Sequence, residues 1–557
     1  MAITGKHDND ILMVSAEINK LAKVGGLADV VYSLSKALIN KGANVSVIIP
    51  YYQEMDAKIA QNGGEEATLY ETLNIDFGEN TWIARIYKMT LDTIPLFVVK
   101  NDFFFSGEDY GSVYVDSQRL NHGPFEDDSK RFAFLSTVVA ELLNSDKFFK
   151  TFRIIHCHDW HTGTLILNLK ENKKYKKLFS SIKILFTIHN LDYQGVRPFT
   201  LGSTYFGGLS SFRDWLPDFY KDLKKNKQVM SLISDTRSEE PCYNPMRTAI
   251  NLADAVNTVS PTYMTEIVKP DNPKYNFIGG RNLENELRTV YSQGKLYGIL
   301  NGCNYDEYSP EKLDPPFSKK IENWQAIKQQ HKEKFLRSFP DMISGIIEKS
   351  DDKRFSNRDI IRKKLKSYSY ETFLDKPLFV MVSRIVEQKV QMLTETINDI
   401  PMTELILRKN IGLMVIGTGT LSPQLEAINK YDNAFYFNTF SKDIADMLYA
   451  VGDVFLMPSD FEPCGISQMI AMSYGTLPLV NKIGGLADTV NNMYNGFVFH
   501  GTNRLSALYN LIRSIEKIIF YYNNHKDDWQ TMQDNAIRTV FSWNDSADKY
   551  LEIYKKL

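Results

Sequence analysis

One nine-residue phrase occurs near both ends of the chain with only two changes, and it constrains the fold more than any other feature. KVGGLADVV begins at Lys23 and KIGGLADTV begins at Lys482. Each copy follows an apolar run and precedes a segment with helical spacing, so each predicts a turn from a strand into a helix. At 557 residues the chain exceeds what one hydrophobic core holds, and the repeat therefore predicts two domains of similar design.

Apolar runs that end in polar residues recur through both halves and predict two parallel sheets. The clearest runs are ILMVSAE from Ile11, ANVSVIIP from Ala43, KILFTIHN from Lys183, PLFVMVSRI from Pro377, LMVIGTGT from Leu413 and TLPLVNKIGG from Thr476. Helical segments separate them, as in doubly wound α/β sheets, which bind ligands beyond the carboxyl ends of their strands. We therefore predict an α/β fold with two doubly wound, Rossmann-like domains that face each other across a deep cleft.

The predicted domain boundaries follow this pattern. Residues 1–297 form the first domain and residues 298–535 the second, and residues 536–557 form a helix that crosses back to the first domain. A helical insertion at about 311–376 is rich in Lys, Glu, Ser and Asp, which predicts a solvated surface. The closing segment SWNDSADKYLEIYKKL has a capping residue at its start and lysines at its end, as expected of an amphipathic helix.

Charge and composition exclude several classes of partner. With 65 basic and 67 acidic residues the net charge is −2, which predicts no binding to nucleic acid or to an acidic membrane surface. No apolar run reaches the roughly 18 residues of a membrane span, and the first residues lack the apolar core of a signal peptide. Four widely spaced cysteines form no paired metal or redox motif. We predict a cytoplasmic protein.

The repeated glycines suggest a role in binding an anion. In a strand-to-helix turn, paired glycines let the backbone approach a ligand with its amide hydrogens, and the start of the helix adds partial positive charge. Asp29 and Asp488 lie in the first turn of the two predicted helices, where a carboxylate favours the helix dipole. One such loop in each domain could clamp a diphosphate between them. The alternative is that each copy is only a tight turn.

Charged residues at other strand ends point to the same ligand. SRIVEQK places Arg384 and Lys389 just beyond a predicted strand, where a planar guanidinium and a compact ammonium suit a leaving diphosphate. In FEPCGISQ, the Glu462 carboxylate could hold sugar hydroxyls while amides near Gly465 and Ser467 receive phosphate. Alternatively, the first pair lies in a solvated loop and the second motif is a structural helix cap.

Histidines gather at two further strand ends. HCHDWH contains His156, His158, Asp159 and His161, and TIHN contains His189. The spacing HxHDxH allows a zinc interpretation, although these positions lie along one strand edge. The other interpretations are bracing of the loops or the core, and contact with a sugar.

Taken together, these segments resemble the bacterial-type glycogen and starch synthases, which are retaining glucosyltransferases of the GT-B fold. The resemblance extends from Ile11 almost to the end of the chain. Its strongest parts are KVGGLADVV, HCHDWHTG, FTIHNLDYQG, NTVSPTY, GILNG, SRIVEQK and PSDFEPCGISQMIAMSYGTLPLVNKIGGLADTV. The last of these is highly specific.

The resemblance implies a set of site residues. The residues implied in catalysis are His189, Arg384, Lys389, Glu462 and Asp159. Those implied in substrate binding are Lys23, Gly25, Gly26, Asn190, Tyr193, Gln194, Gly417, Phe440, Cys464, Gly465, Ile466, Ser467, Gly484 and Gly485. In the family, the arginine and lysine neutralise the leaving diphosphate, the glutamate binds the sugar, and an aromatic side chain, here Phe440, stacks on the donor base. The backbone carbonyl at the His189 position supports the developing positive charge.

The reaction implied is transfer of glucose from a nucleotide-glucose, with ADP-glucose favoured over UDP-glucose, to the non-reducing end of an α-1,4-glucan. Configuration is retained, and neither a metal nor a cofactor takes part. Five positions depart from the family pattern: Cys303, Asn304, Val390, Asp460 and Ile483. Asp460 stands where arginine is usual, which predicts a loss of positive charge near the phosphates. Two alternatives stay open, a non-catalytic glucan-binding or regulatory homologue and an enzyme like the α-glucan phosphorylases.

Overall fold

A computed structural model of the chain describes residues 10–61, 67–106, 111–114, 126–145, 148, 152–176, 182–200, 210–237, 240–349 and 355–557. The strands of the first half are β1 (Asp10–Val14), β2 (Asn44–Pro50), β3 (Thr68–Phe77), β4 (Asn80–Leu91), β5 (Ile94–Lys100), β6 (Ile154–His158), β7 (Lys183–Ile188), β8 (Arg197–Pro198), β9 (Cys242–Tyr243), β10 (Ala255–Thr258) and β11 (Leu296–Gly298). Those of the second half are β12 (Leu378–Val382), β13 (Thr396–Ile397), β14 (Ile400–Pro401), β15 (Gly412–Ile416), β16 (Ala434–Phe437), β17 (Val454–Met457), β18 (Leu477–Asn481) and β19 (Phe497–Phe499).

Helices lie between most of these strands. In the first half they span Gly26–Asn40, Met55–Gln61, Glu126–Asn144, Gly163–Glu171, Lys173–Lys176, Phe212–Trp215, Pro217–Leu223, Lys227–Ile233, Pro245–Leu252, Pro261–Ile267 and Glu284–Ser292. In the second half they span Trp324–Lys349, Arg358–Leu365, Glu371–Leu374, Glu387–Thr394, Met402–Leu407, Ser422–Leu425, Lys442–Val451, Ser467–Ser473, Gly484–Thr489, Arg504–Asn524, Lys526–Arg538 and Trp543–Lys556. Within the ranges described, no helix is long and apolar enough to cross a bilayer.

Two large sheets organise the chain. The first has nine strands in the order β11-β10-β7-β6-β1-β2-β5-β4-β3 and is parallel except where β4 pairs with β3 and β5. The second has six parallel strands in the order β16-β15-β12-β17-β18-β19. Every residue of β1 and of β15 is buried, because helices cover both faces of a parallel sheet. The predicted α/β fold class is confirmed.

The segment predicted as a solvated insertion is buried along one face, so that part of the prediction is wrong. Apolar side chains on helix Trp324–Lys349, among them Phe335, Phe339 and Ile343, pack into the core. Two lysines on the same face are also buried, because they find acceptors inside. Lys332 Nζ donates to Asp453 Oδ2 at 2.6 Å, and Lys328 Nζ donates to the Ala450 carbonyl at 2.8 Å. The lysine content of this segment therefore led to a wrong prediction of its exposure.

The last helix lies against the first sheet. Tyr550 accepts a hydrogen bond from Asn257 Nδ2 at 2.8 Å, and the Tyr554 hydroxyl contacts His156 Nδ1 at 2.8 Å. This helix begins at Trp543 and not at residue 536, because helix Lys526–Arg538 of the second half continues past the predicted boundary. The limits 1–297 and 298–535 stay predictions.

Candidate active site

One cavity of about 650 Å³ lies where the carboxyl ends of the two sheets meet. β1, β6 and β7 of the first sheet and β12 and β17 of the second end at this cavity, so polar residues from distant parts of the sequence converge there. The sequence-predicted residues that line it are Lys23, Gly25, Gly26, Asp159, His189, Asn190, Tyr193, Arg384, Lys389, Glu462, Cys464, Gly465, Ile466 and Ser467.

The two halves are in direct contact beside the cavity. Ser260 Oγ donates to the Pro463 carbonyl at 2.6 Å, joining the end of the first sheet to the FEPCG loop. Asp488, at the second glycine loop, accepts from the Thr262 amide at 2.9 Å and from the Thr262 hydroxyl at 2.7 Å. These bonds bring the FEPCG loop against the first domain.

Cationic and anionic side chains meet on the side of the second sheet. Lys389, in helix Glu387–Thr394, forms an ion pair with Glu462, and the two side chains are 14% and 8% exposed. Arg384 is exposed at the end of β12 and, among the described residues, contacts no carboxylate. Its guanidinium is therefore available to an anion in the cavity, whereas Lys389 already has a partner there.

The first glycine loop faces the cavity, but two of its amides do not. Glu17 Oε2 accepts from the Val24 amide at 2.7 Å and from the Gly25 amide at 3.0 Å. The prediction that these amides point toward a ligand is therefore wrong, because a carboxylate of the chain itself holds them. Lys23 Nζ, which also lines the cavity, pairs with Asp29 Oδ1 at 2.7 Å.

The second glycine loop lies outside the cavity, so the prediction that both copies clamp one ligand is wrong. The Gly484 amide donates to Glu266 Oε1 at 3.0 Å, across the contact between the halves. A Cβ at Gly484 would lie 1.9 Å from the Glu462 carbonyl oxygen, and one at Gly485 would lie 2.2 Å from the Cys464 carbonyl oxygen. The glycines are needed here so that the loop can pack against the FEPCG backbone. Burial raises the pKa of Glu266 to about 7.

Neutral histidines and a strained aspartate form the opposite wall. Asp159 has φ of +56°, and its Oδ1 accepts from the His189 amide at 2.8 Å. Burial raises the pKa of Asp159 to about 7, although the His189 and Asn190 amides oppose this effect. Burial also lowers the pKa of His189 to about 3, so its ring is uncharged at neutral pH. His158 Nδ1 lies 3.1 Å from His189 Nε2.

The other two histidines have partners that explain their burial. His156 lies between the Thr187 hydroxyl at 2.7 Å and the Tyr554 hydroxyl at 2.8 Å, and it braces the last helix. His161 Nε2 contacts the Tyr114 hydroxyl at 2.9 Å. The described part of the chain brings no three His, Cys, Asp or Glu side chains together in a metal-binding group, so the zinc interpretation of HxHDxH has no ligand set.

Three further predicted residues do not line the cavity. Gln194 is buried, and its Nε2 donates to the Leu191 carbonyl at 3.1 Å, which makes it a brace of the TIHN loop. Gly417 has φ of +150°, and a Cβ there would lie 1.7 Å from the Ser383 carbonyl oxygen. Phe440 is 89% exposed and is not among the residues that line the cavity. The predicted stacking of Phe440 on a base has no support in this arrangement.

The charge change at Asp460 is balanced within the second domain. Arg504 forms ion pairs with both Asp460 and Glu395, so the Asp460 carboxylate is neutralised, and it does not line the cavity.

The other four departures have different surroundings. Val390 is fully buried in a regular helix, where a side chain is accommodated. Ile483 precedes the second glycine loop, and Cys303 is buried with its amide bonded to the Phe541 carbonyl. Asn304 is the one departure of the five that lines the cavity.

Sequence reasoning missed several lining residues, which are Glu17, Tyr114, Trp160, Asn301, Glu307, Tyr308 and Gln388. Glu17 had a usable signal, because it is the polar residue that ends the first apolar run. Tyr114 had no such signal in the sequence, because its segment shows no helical or strand periodicity and only the tertiary fold brings it to the cavity.

Two doubly wound domains that enclose a cleft lined with cations at the strand ends define the GT-B class of glycosyltransferases. Residues 10–289 match the model of the starch synthase catalytic domain, and residues 363–524 match the model of group 1 glycosyl transferases. A glycogen synthase of Streptococcus mutans is 32% identical over 98% of this chain and 99% of its own length. A glycogen synthase of Clostridioides difficile is 33% identical over 98% of this chain and 99% of its own length.

A solved structure agrees with these relatives. The catalytic domain of starch synthase IV from Arabidopsis thaliana, bound to ADP and acarbose, is 26% identical, covers 98% of each chain and superposes with a TM-score of 0.73. The chain belongs to the glycogen and starch synthase family and is a glucosyltransferase.

Proposed function

We propose that the protein transfers glucose from a nucleotide-glucose, ADP-glucose in preference to UDP-glucose, to the non-reducing end of an α-1,4-glucan with retention of configuration. The observation that carries the proposal is the convergence of Lys23 from one domain with Arg384, Lys389 and Glu462 from the other on a single cavity. The ADP bound to the starch synthase IV structure supports the choice of donor base.

In this proposal, the diphosphate binds on the side of Arg384 and Lys389. Arg384 offers a fork for two phosphate oxygens, and Lys389 is held near them by its ion pair with Glu462. As the bond between glucose C1 and the diphosphate oxygen breaks, negative charge develops on the leaving group. Cations placed there in advance stabilise that charge by several kcal/mol, as in other anion-stabilising sites.

The glucose binds against the FEPCG loop and the histidine wall. Glu462 and the backbone from Cys464 to Ser467 offer acceptors and donors for its hydroxyl groups. Because the His189 ring is uncharged, it does not oppose the positive charge that develops at C1, and the His189 carbonyl can stabilise it. The acceptor O4 forms the new bond on the face that the diphosphate leaves, and its proton passes to the leaving diphosphate.

The acceptor chain enters past the TIHN loop. Tyr193 is 38% exposed at the cavity edge and provides an aromatic face of the kind on which sugar rings pack. Asn190 lines the cavity beside it, and Trp160 lies in the wall beneath. Gln194 takes no direct part in this proposal, because its Nε2 donates to the Leu191 and Arg281 carbonyls.

The test is transfer of labelled glucose to glycogen and to maltooligosaccharides, with ADP-glucose and UDP-glucose compared side by side. We expect faster transfer from ADP-glucose, and we expect an α-1,4-specific hydrolase to release all of the transferred label. Faster transfer from UDP-glucose would overturn the proposed donor. A folded protein that binds glucan but transfers glucose from neither donor would overturn the proposed reaction.

A further inference from the structure

The first glycine loop is held by a buried carboxylate that was not among the predicted site residues. Glu17 follows β1 and is only 2% exposed, yet it reaches the cavity. Its Oε2 accepts from two consecutive loop amides, Val24 at 2.7 Å and Gly25 at 3.0 Å, and its Oε1 accepts from the Tyr114 hydroxyl at 3.0 Å. Burial raises the pKa of Glu17, and the three donors directed at its carboxylate oppose that effect by stabilising the charged form.

The network continues to the histidine motif, and its hydrogens can be assigned. The single hydroxyl hydrogen of Tyr114 serves Glu17, so His161 Nε2 must donate to the Tyr114 oxygen at 2.9 Å. His161 is then neutral with its hydrogen on Nε2. In this tautomer Nδ1 of His161 is an acceptor, and it is buried without a hydrogen-bond donor among the described residues. The glycine loop is thus connected to HCHDWH through Glu17 and Tyr114.

We propose that Glu17 is a positioning residue that commits the Val24 and Gly25 amides to the protein, so that these two amides hold the loop and its Lys23 side chain in place and do not bind a phosphate. The inference rests on the proposed function for the identity of that ligand. A phosphate at these two amides would have to displace a carboxylate and would then lie beside it. In the proposed function the side-chain cations then neutralise the diphosphate, with Arg384 unpaired among the described residues and Lys389 and Lys23 paired with Glu462 and Asp29.

Amide hydrogen exchange tests the network without any catalysis. Exchange at Val24 and Gly25 is measured at single-residue resolution in the wild type, Glu17→Ala, the isosteric Glu17→Gln and Tyr114→Phe. We expect exchange about tenfold or more faster in Glu17→Ala, because both amides lose a charged acceptor. Glu17→Gln keeps one carbonyl oxygen and should remain near the wild type. Equal exchange in the wild type and Glu17→Ala would overturn the proposal.

Addition of ADP then distinguishes a loop whose amides stay bonded to Glu17 from a loop whose amides bind phosphate. If the amides stay bonded to Glu17, saturating ADP leaves their exchange in the wild type unchanged. If they bind phosphate, ADP changes their protection in the wild type, and the proposal fails. Binding of ADP is followed separately by calorimetry, so a protein that binds no ADP contradicts the proposed function while the exchange in the absence of ligand still tests Glu17.

Steady-state kinetics provide a readout that a purely structural role would not give. We expect Glu17→Ala to raise KM for the nucleotide-glucose about tenfold, with a smaller change in kcat, because Lys23 loses its placement but the cations of the second domain remain. Glu17→Gln should restore most of the affinity. Loss of kcat alone, or failure of Glu17→Gln to rescue KM while its melting temperature matches the wild type, would overturn the role assigned to Glu17.

Discussion

Lys389 and Glu462 form an ion pair that joins the first turn of helix Glu387–Thr394 to the FEPCG loop after β17. Each side chain is mostly buried, and each lines the cavity. The pair therefore has two consequences that can be separated by experiment, one for the stability of the second domain and one for the charge presented to a ligand.

We predict that Lys389→Ala lowers kcat about 100-fold or more, because the leaving diphosphate loses a preorganised cation. It should also lower stability, since Glu462 is left buried without its partner. The double variant Lys389→Ala with Glu462→Gln should regain stability but not turnover. Lys409→Ala, which removes an exposed ion pair with Glu516 outside the cavity, is the matched control. Turnover like that of the wild type in Lys389→Ala would contradict the assigned role.

The buried histidines predict a steep loss of stability in acid. Burial lowers the pKa values of His156, His161 and His189 to about 3, and that of His158 also lies well below its usual value. The unfolded chain binds protons at these residues as pH falls below about 6.5, while the folded chain does not until about pH 3. Within this window, each histidine lowers the free energy of unfolding by about 1.4 kcal/mol for each unit by which the pH falls.

Urea unfolding between pH 7.5 and 5 measures this effect. We expect the free energy of unfolding to decrease as pH is lowered from 7.5 to 5. In His156→Gln, the slope of the free energy of unfolding against pH should be smaller by the equivalent of about one proton. Asp159 and Glu266 act in the opposite direction, because their folded pKa values are raised to about 7 and the folded chain keeps protons that the unfolded chain loses. A slope unchanged in His156→Gln would contradict the prediction.

The two glycine loops predict opposite tolerances for the same substitution. A Cβ at Gly25 meets no atom within 4 Å, whereas one at Gly485 lies 2.2 Å from the Cys464 carbonyl oxygen. We therefore expect Gly25→Ala to change the free energy of unfolding by less than about 1 kcal/mol, and Gly485→Ala to lower it by about 2 kcal/mol or more. Thermal and urea unfolding of the two variants provide the comparison. Equal effects would mean that the second loop can move away from the FEPCG backbone.

The ion pairs of Arg504 predict that the stability of the protein depends on the charges at this position. In Arg504→Gln, the Asp460 and Glu395 carboxylates face each other without a cation, and we expect a loss of about 2 kcal/mol of stability. Asp460→Asn in the same background should recover much of it, because the repulsion and the buried charge are both removed. If the double variant were as unstable as Arg504→Gln, packing and not charge would explain the loss.

The sequence was sufficient to predict the two sheets and most of the site for one physical reason. Parallel strands end at a common edge, so polar residues that follow separate strands, such as Arg384, Glu462 and His189, are brought together whatever their distance in sequence. The apolar runs and the polar residues that end them are both local features. Their roles in the reaction stay predictions.

The errors arose where a residue's partner lies far away in sequence. Nothing near Gly484 indicates that its amide bonds to Glu266. The Val24 amide is the exception, because its partner Glu17 lies only seven positions away. A lysine such as Lys332 is expected at the surface, but Lys332 is buried because Asp453 accepts a hydrogen bond from it. Composition and spacing describe what a segment can do, and these bonds depend on which segments the fold brings together.

The second glycine loop, packed against the FEPCG backbone, also affects how the chain can change over evolutionary time. Its glycines have no room for a side chain, whereas Gly25 and Gly26 of the first loop do. Drift by substitution should therefore be slower in the second copy than in the first, although the two phrases are nearly identical today. Among natural variants, we expect the first pair of glycines to be replaced more often unless contact with the ligand forbids it.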